Sequence, residues 1–178
     1  GQCCIGRIEV DAVRAAAPAA LERAQWCLIM DNSASMGRWS SALITDVFPR
    51  MLDRLGVPRP DAVHLILFSY TASYHHVRVQ DLASFVAPSQ GSTEMRGVFP
   101  LLASKLTPDH PTNILCVSDG AVHDQEASVA AASAITVELK AQLPLVTARA
   151  IRLVTHNHAQ PDTRALAAIL QYNTEAVG

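Results

Sequence analysis

The sequence predicts an α/β fold: a doubly wound, mostly parallel central sheet with helices on both faces and one antiparallel edge strand. Three observations predict it. Apolar runs of strand length recur at residues 25–31, 62–69, 112–118 and 146–154. Stretches with apolar residues at helical spacing lie between them. Two of the runs stop abruptly at an acid, Asp31 and Asp119, followed by small polar residues. Strands alternating with helices of this length build a parallel sheet covered on both faces. Right-handed crossovers then gather the C-terminal strand ends on one edge, where such folds bind ligands.

At 178 residues the chain suits one domain, and a domain of that size buries roughly 70% of its unfolded surface. Hydrophobic residues make up 49% and charged residues 17%, the balance of an ordered globular protein. A formal net charge of −2 argues against nucleic acid or an anionic membrane as the main partner. No apolar run approaches the ~20 residues of a membrane-spanning helix, so membrane insertion is not expected. Cys27 and Cys116 sit in apolar runs as small core residues, and the vicinal Cys3-Cys4 pair reads as inert. Nothing demands a disulfide framework, which favours a reducing, intracellular (cytoplasmic) setting. The start at Gly1 suggests a piece of a larger multidomain protein.

Residues 1–24 read as an N-terminal extension, with a strand at 7–10 and a helix at 13–23 as its candidate elements, and residues 25–178 as the domain proper. After the strand at 25–31, Leu43, Ile44, Val47, Met51, Leu52 and Leu55 mark a helix over 39–55. Pro49 is expected to kink it and Gly56 to stop it. A strand at 62–69 follows, then polar-apolar alternation at 74–79 that suits an edge strand. Asp81-Leu82 opens a short helix. The loop Pro88-Ser89-Gln90-Gly91-Ser92-Thr93 leads into a helix at 94–106. The strand at 112–118 ends in Asp119-Gly120. An alanine-rich helix at 124–142, a strand at 146–154 and a last helix at 161–172 complete the chain.

Asp31-Asn32-Ser33-Ala34-Ser35 places a carboxylate and two hydroxyls at a strand tip. Oxygen ligands of this kind suit Mg²⁺, Mn²⁺ or Ca²⁺ rather than Zn²⁺ or Cu²⁺. Thr93 in its loop and Asp119 at a later strand end fall on the same expected edge. Taken singly, each is an ordinary cap or turn residue. In this order, the five resemble the von Willebrand factor type A domains, whose metal-ion-dependent adhesion site runs Asp-x-Ser-x-Ser, then Thr, then Asp. Met36-Gly37 and Ser118-Asp119-Gly120 are further matches, and the resemblance extends over residues 25 to 173. It implies a Rossmann-like fold and a divalent cation, Mg²⁺ or else Mn²⁺ or Ca²⁺, at Asp31, Ser33, Ser35, Thr93 and Asp119. The hydroxyls would bind the metal directly, and the carboxylates commonly through water. It also implies a further strand near the C-terminus, for which nothing after Tyr172 is a candidate.

Neutral hydroxyls leave the cation electrophilic, with a position open for an Asp or Glu of a partner protein. The expectation is therefore a non-enzymatic, metal-dependent protein-binding domain. A scaffold that keeps the fold without using the metal is the alternative reading. A Mg²⁺-dependent hydrolase is weaker, because Ser33 stands where a phosphatase needs its second Asp. There is no nucleophile elbow or phosphate-binding loop. Arg38, Trp39, Tyr70, Arg96, His123, His156 and His158 are candidate rim contacts, Trp and Arg because they dominate binding hot spots and the histidines because they follow strand ends. His75-His76 lacks a third ligand for a soft metal.

Overall fold

The computed structural model describes residues 24–54, 60–86, 91–153 and 162–174. The N-terminal extension, the stop at Leu55-Gly56, residues 88–90, His156 and His158 lie outside the described residues, as does the side chain of Arg38.

β1 (Gln25–Asp31) is the centre of a five-stranded sheet with β2 (Ala62–Phe68), β3 (Ala72–Arg78), β4 (Thr112–Ser118) and β5 (Val146–Arg152). The order is β3-β2-β1-β4-β5. β1 runs parallel to β2 and β4, and β4 to β5, while β3 is the antiparallel edge. β1, β2 and β4 bury almost every residue, which explains their unbroken apolar runs. The half-exposed β3 keeps its polar residues.

Successive side chains on a strand point to opposite faces, so each buried strand feeds two cores. Cys27, Ile29, Ile66, Phe68, Ile114 and Cys116 face one helical layer. It contains α3 (Val98–Lys105), α4 (Gln125–Ala134), α5 (Thr136–Gln142) and the C-terminal α6 (Arg164–Ala167), continued as a 3₁₀ turn over Ala168–Tyr172. Trp26, Leu28, Met30, Val63, Leu65, Leu67, Leu115 and Val117 face the other layer. That layer is α1 (Arg38–Ala42), a π-helical turn (Leu43–Val47), α2 (Phe48–Arg54) and a 3₁₀ turn (Val79–Ser84).

Several helices depart from the sequence reading. Pro49 widens the helix ahead of it rather than simply kinking it: Phe48 N–H reaches back five residues to the Leu43 carbonyl. A proline ring collides with the carbonyl four residues earlier and donates no hydrogen bond, and a wide turn relieves both problems. The helix read at 94–106 begins only at Val98, because the preceding amides bond elsewhere. The alanine-rich helix breaks at Ile135, a β-branched residue at φ −93° and ψ −3°.

The outer edge of β5 has a side-chain substitute for part of a next strand. Asn173 Oδ1 accepts from Ala148 N–H at 2.7 Å, and its amide donates to the Ala148 carbonyl at 3.1 Å. Thr174 N–H donates to the Val146 carbonyl at 3.0 Å, and its hydroxyl accepts from Val146 N–H at 2.7 Å. From β1 the chain builds outward through β2 and β3, then returns to the other side of β1 for β4. The order reverses between β1 and β4, and a crevice opens there at the strands' C-terminal ends. Asp31 and Asp119 flank that crevice.

Candidate metal centre

Asp31 is buried because β1 is central, and both of its oxygens are tied to the protein. Ser33 N–H returns to Oδ1 at 2.9 Å. The Ser118 hydroxyl, from the end of β4, donates to Oδ2 at 2.6 Å and so bridges the crevice. Asn32 continues the sheet for one more residue, its N–H donating to the Phe68 carbonyl at 2.8 Å. The chain then turns: Met36 and Gly37 N–H both donate to the Ser33 carbonyl, at 3.1 and 3.3 Å. This turn sets the Ser33 and Ser35 hydroxyls 3.0 Å apart. Gly37 closes it at φ +43°, in the left-handed region where a side chain is strained.

Asp119 follows β4. Its Oδ1 accepts Ala121 N–H at 3.0 Å, whereas its Oδ2 is buried with no hydrogen-bond partner. Burial pushes the Asp31 carboxyl above its usual value. Hydrogen bonds from Ser118 and Ser33 pull it back, and the negative charge of Asp119 pushes it up. The two carboxylates therefore feel one another. Ion pairs elsewhere engage Asp46, Asp81, Glu94, Asp124 and Asp162.

This arrangement fits a divalent cation. Two buried like charges without a counter-charge are costly, and so is a carboxylate oxygen without a donor. A cation relieves both, and the adjacent hydroxyl pair offers two further oxygens. Among the described residues no group of three or more His, Cys, Asp or Glu side chains is arranged for a metal; the oxygens gathered here are carboxylates and hydroxyls.

Thr93 is buried, but it does not begin a helix as the sequence suggested; it lies in a loop well ahead of α3. Its N–H donates to His123 Nδ1 at 3.3 Å, and His123 N–H donates to the Thr93 carbonyl at 2.8 Å. The Thr93 loop thus docks on the loop after β4, on the edge that carries Asp119. Trp39 and Tyr70 are 46% and 63% exposed, just after the serine turn and after β2. Arg96, a candidate rim contact, has a side chain that is 61% exposed, and its guanidinium bonds Glu94 at 3.1 Å and approaches Asp124 at 3.9 Å. Neither the bridging role of Ser118 nor any role for Asp124 follows from the sequence. A Ser before Asp-Gly reads as a turn, and an Asp before an alanine-rich run reads as a helix cap.

No protein-family model matches the chain, and no curated protein matches it. Solved structures do. The proximal thread matrix protein 1 from the mussel byssus, in a structure with a zinc-occupied metal-ion-dependent adhesion motif, matches with a TM-score of 0.55 at 16% identity, over 72% of this chain and 36% of that one. A von Willebrand factor type A structure from Catenulispora acidiphila matches with a TM-score of 0.50 at 12% identity, over 84% of this chain and 41% of that one. The fold is that of a von Willebrand factor type A domain. The manganese-loaded TRAP protein of Plasmodium vivax also matches, with a TM-score of 0.50 at 15% identity, over 83% of this chain and 63% of that one. This chain therefore spans less than two thirds of each of these proteins. Two of these structures hold metal, zinc in the mussel protein and manganese in the TRAP protein.

Proposed function

We propose that this von Willebrand A domain is a metal-dependent protein-binding domain. In this reading a divalent cation, Mg²⁺ or Mn²⁺ or Ca²⁺, sits among Asp31, Ser33, Ser35, Thr93 and Asp119. Its open position takes an Asp or Glu side chain of a partner protein. The observation that carries the reading is the pair of buried carboxylates, mutually repelling, with Asp119 Oδ2 unpartnered. Two carboxylates balance a 2+ ion, and neutral hydroxyls leave it electrophilic enough to hold a third. The function is binding rather than catalysis, since Ser33 occupies the place of a second catalytic acid. Trp39 and Tyr70 would flank the partner's carboxylate, in a longer protein that presents this edge.

Thermal unfolding with and without Mn²⁺ tests the metal. Wild type should be stabilised, and Asp31→Ala and Ser33→Ala should not. Water-proton relaxation by the bound Mn²⁺ tests the open position: acetate should lower it by displacing exchanging water. The absence of a melting shift at millimolar Mn²⁺, or an equal shift in Asp31→Ala, would leave the fold as a scaffold that does not use metal.

A further inference from the structure

We infer that His123 and Asp124 form a clasp that sets the position of the Thr93 loop and thereby the affinity of the metal centre. The inference rests on the metal-binding reading above. Four consecutive amides, Thr93 to Arg96, lie in no helix or strand, and every one donates outside its own loop. Thr93 N–H goes to His123 Nδ1 at 3.3 Å and Glu94 N–H to the Ser69 carbonyl at 2.6 Å. Met95 N–H goes to Asp124 Oδ1 at 2.8 Å and Arg96 N–H to Asp124 Oδ2 at 3.1 Å. Two adjacent side chains therefore hold three of the four.

Asp124 is the clearer case. It stands at the N-cap of α4, where an Asp ordinarily accepts the amides two or three residues ahead. It makes no such side-chain bond. Its carboxylate is spent on the neighbouring loop, and Ser128, one turn into α4, braces it by donating its hydroxyl to Oδ1 at 2.8 Å. His123 grips the loop through both its backbone and its ring. Its backbone N–H bonds the Thr93 carbonyl at 2.8 Å, and its Nδ1 lies 3.1 Å from the Ser92 hydroxyl as well as facing Thr93 N–H. Nδ1 acts here as an acceptor, which puts the ring proton on Nε2. At the far end of the loop, a Cβ on Gly97 would lie 3.1 Å from Ala72 Cβ, so the loop also closes tightly on β3.

Thr93 is the one proposed ligand not carried by β1 or β4. Its backbone reaches the Asp119 side of the site through this clasp. His123 and Asp124 are thus positioning residues, with no contact to the metal required of them. Residues that orient ligands in this way typically cost about 10–100-fold in metal affinity when removed.

The test compares wild type with His123→Ala, His123→Asn, Asp124→Asn and Asp124→Ala in two measurements. Amide hydrogen exchange on metal-free protein reads the clasp alone. Faster exchange is expected at Thr93 in His123→Ala and at Met95 and Arg96 in Asp124→Ala, with Glu94, bonded to Ser69, changed least. Calorimetric titration with Mn²⁺ reads the consequence: about tenfold weaker binding in both alanine variants. Asn at 123 retains an acceptor near the Nδ1 position and should recover much of the loss, while Asp124→Asn, which keeps one acceptor oxygen, should fall between. Unchanged exchange overturns the clasp. Faster exchange with unchanged Mn²⁺ affinity overturns its link to the site. If wild type itself binds no Mn²⁺, the metal reading fails and the affinity claim with it, while the exchange data still decide the clasp.

Discussion

Two polar clusters occupy opposite ends of the same sheet, and they are built on opposite terms. At the C-terminal strand ends, Asp31 and Asp119 bury charge of one sign and leave one oxygen unpartnered. Toward the other end, His64 on β2 meets Tyr74 and His76 on β3. Its Nδ1 lies 2.9 Å from the Tyr74 hydroxyl, and its ring packs 5.2 Å from that of His76. The Lys105 ammonium covers the Tyr74 ring at 5.4 Å. Burial, with some help from His76, pushes the His64 imidazole down to about 4, so it is neutral at pH 7. The lower cluster pairs a buried imidazole with a hydroxyl, whereas among the described residues no ion pair engages Asp31 or Asp119. Like charges buried together, with one oxygen unpartnered, set the upper cluster apart and support the metal site proposed there.

Three changes would break or sharpen that contrast. The largest effect is expected from metal. Mn²⁺ at a hundred times its Kd should stabilise wild type by about 2.7 kcal/mol through mass action, read as a rise in Tm. Asp119→Ala should abolish the rise and His64→Leu should keep it. Without metal, Asp119→Asn should melt no lower than wild type, because it removes one of two repelling charges. A lower Tm for that variant would show the carboxylates to be stabilising as they stand.

Acid should act next, through the lower cluster. The His64 imidazole titrates lower in the folded chain than in the unfolded one, about 4 against 6.5. Between those values the unfolded state binds more protons, so stability is full above pH 6.5 and is lost as pH falls toward 4. Allowing for residual water around the ring, the loss should be roughly 1–2 kcal/mol. Urea unfolding of wild type and His64→Leu across that window isolates it, since the carboxylates titrate in both. Parallel pH profiles for the two proteins would refute the assignment.

The smallest effect belongs to Tyr74→Phe. Removing the hydroxyl from the His64 contact should cost about 1 kcal/mol and leave Mn²⁺ affinity unchanged. A change in that affinity would mean that the two ends of the sheet are coupled.

The strands were legible because their chemistry is local. Runs such as Trp26 to Met30 and Ile114 to Val117 are apolar on both faces, and only a covered central strand needs that. The candidate site was legible as a set of residue types: Asp31, Ser33 and Ser35 lie in one short stretch, and Thr93 and Asp119 fall at loop positions the alternation predicts. Helix limits were less legible. The amides ahead of Val98 bond to Ser69, His123 and Asp124, and no propensity within 94–97 encodes those acceptors. Pro49 announced trouble in its helix without saying how the helix would absorb it. The approach of Arg96 to Asp124 was not legible, because the two are distant in sequence.

By itself, the sequence determined the α/β class, the central strands and the oxygen-rich character of the strand-end loops. Each of these follows from patterns within a few residues, where hydrophobic period and residue chemistry act directly. Only the tertiary structure decided that β1 and β4 flank the switch in strand order, that Ser118 bridges it to Asp31, and that Asp119 keeps an oxygen without a partner. It also decided that the carboxylate of Asp124 takes the amides of another loop instead of capping those of its own helix. Those outcomes depend on which groups from separate segments meet once water is excluded. A buried hydrogen-bonding group takes the partner that packing brings to it, wherever that partner stands in the chain.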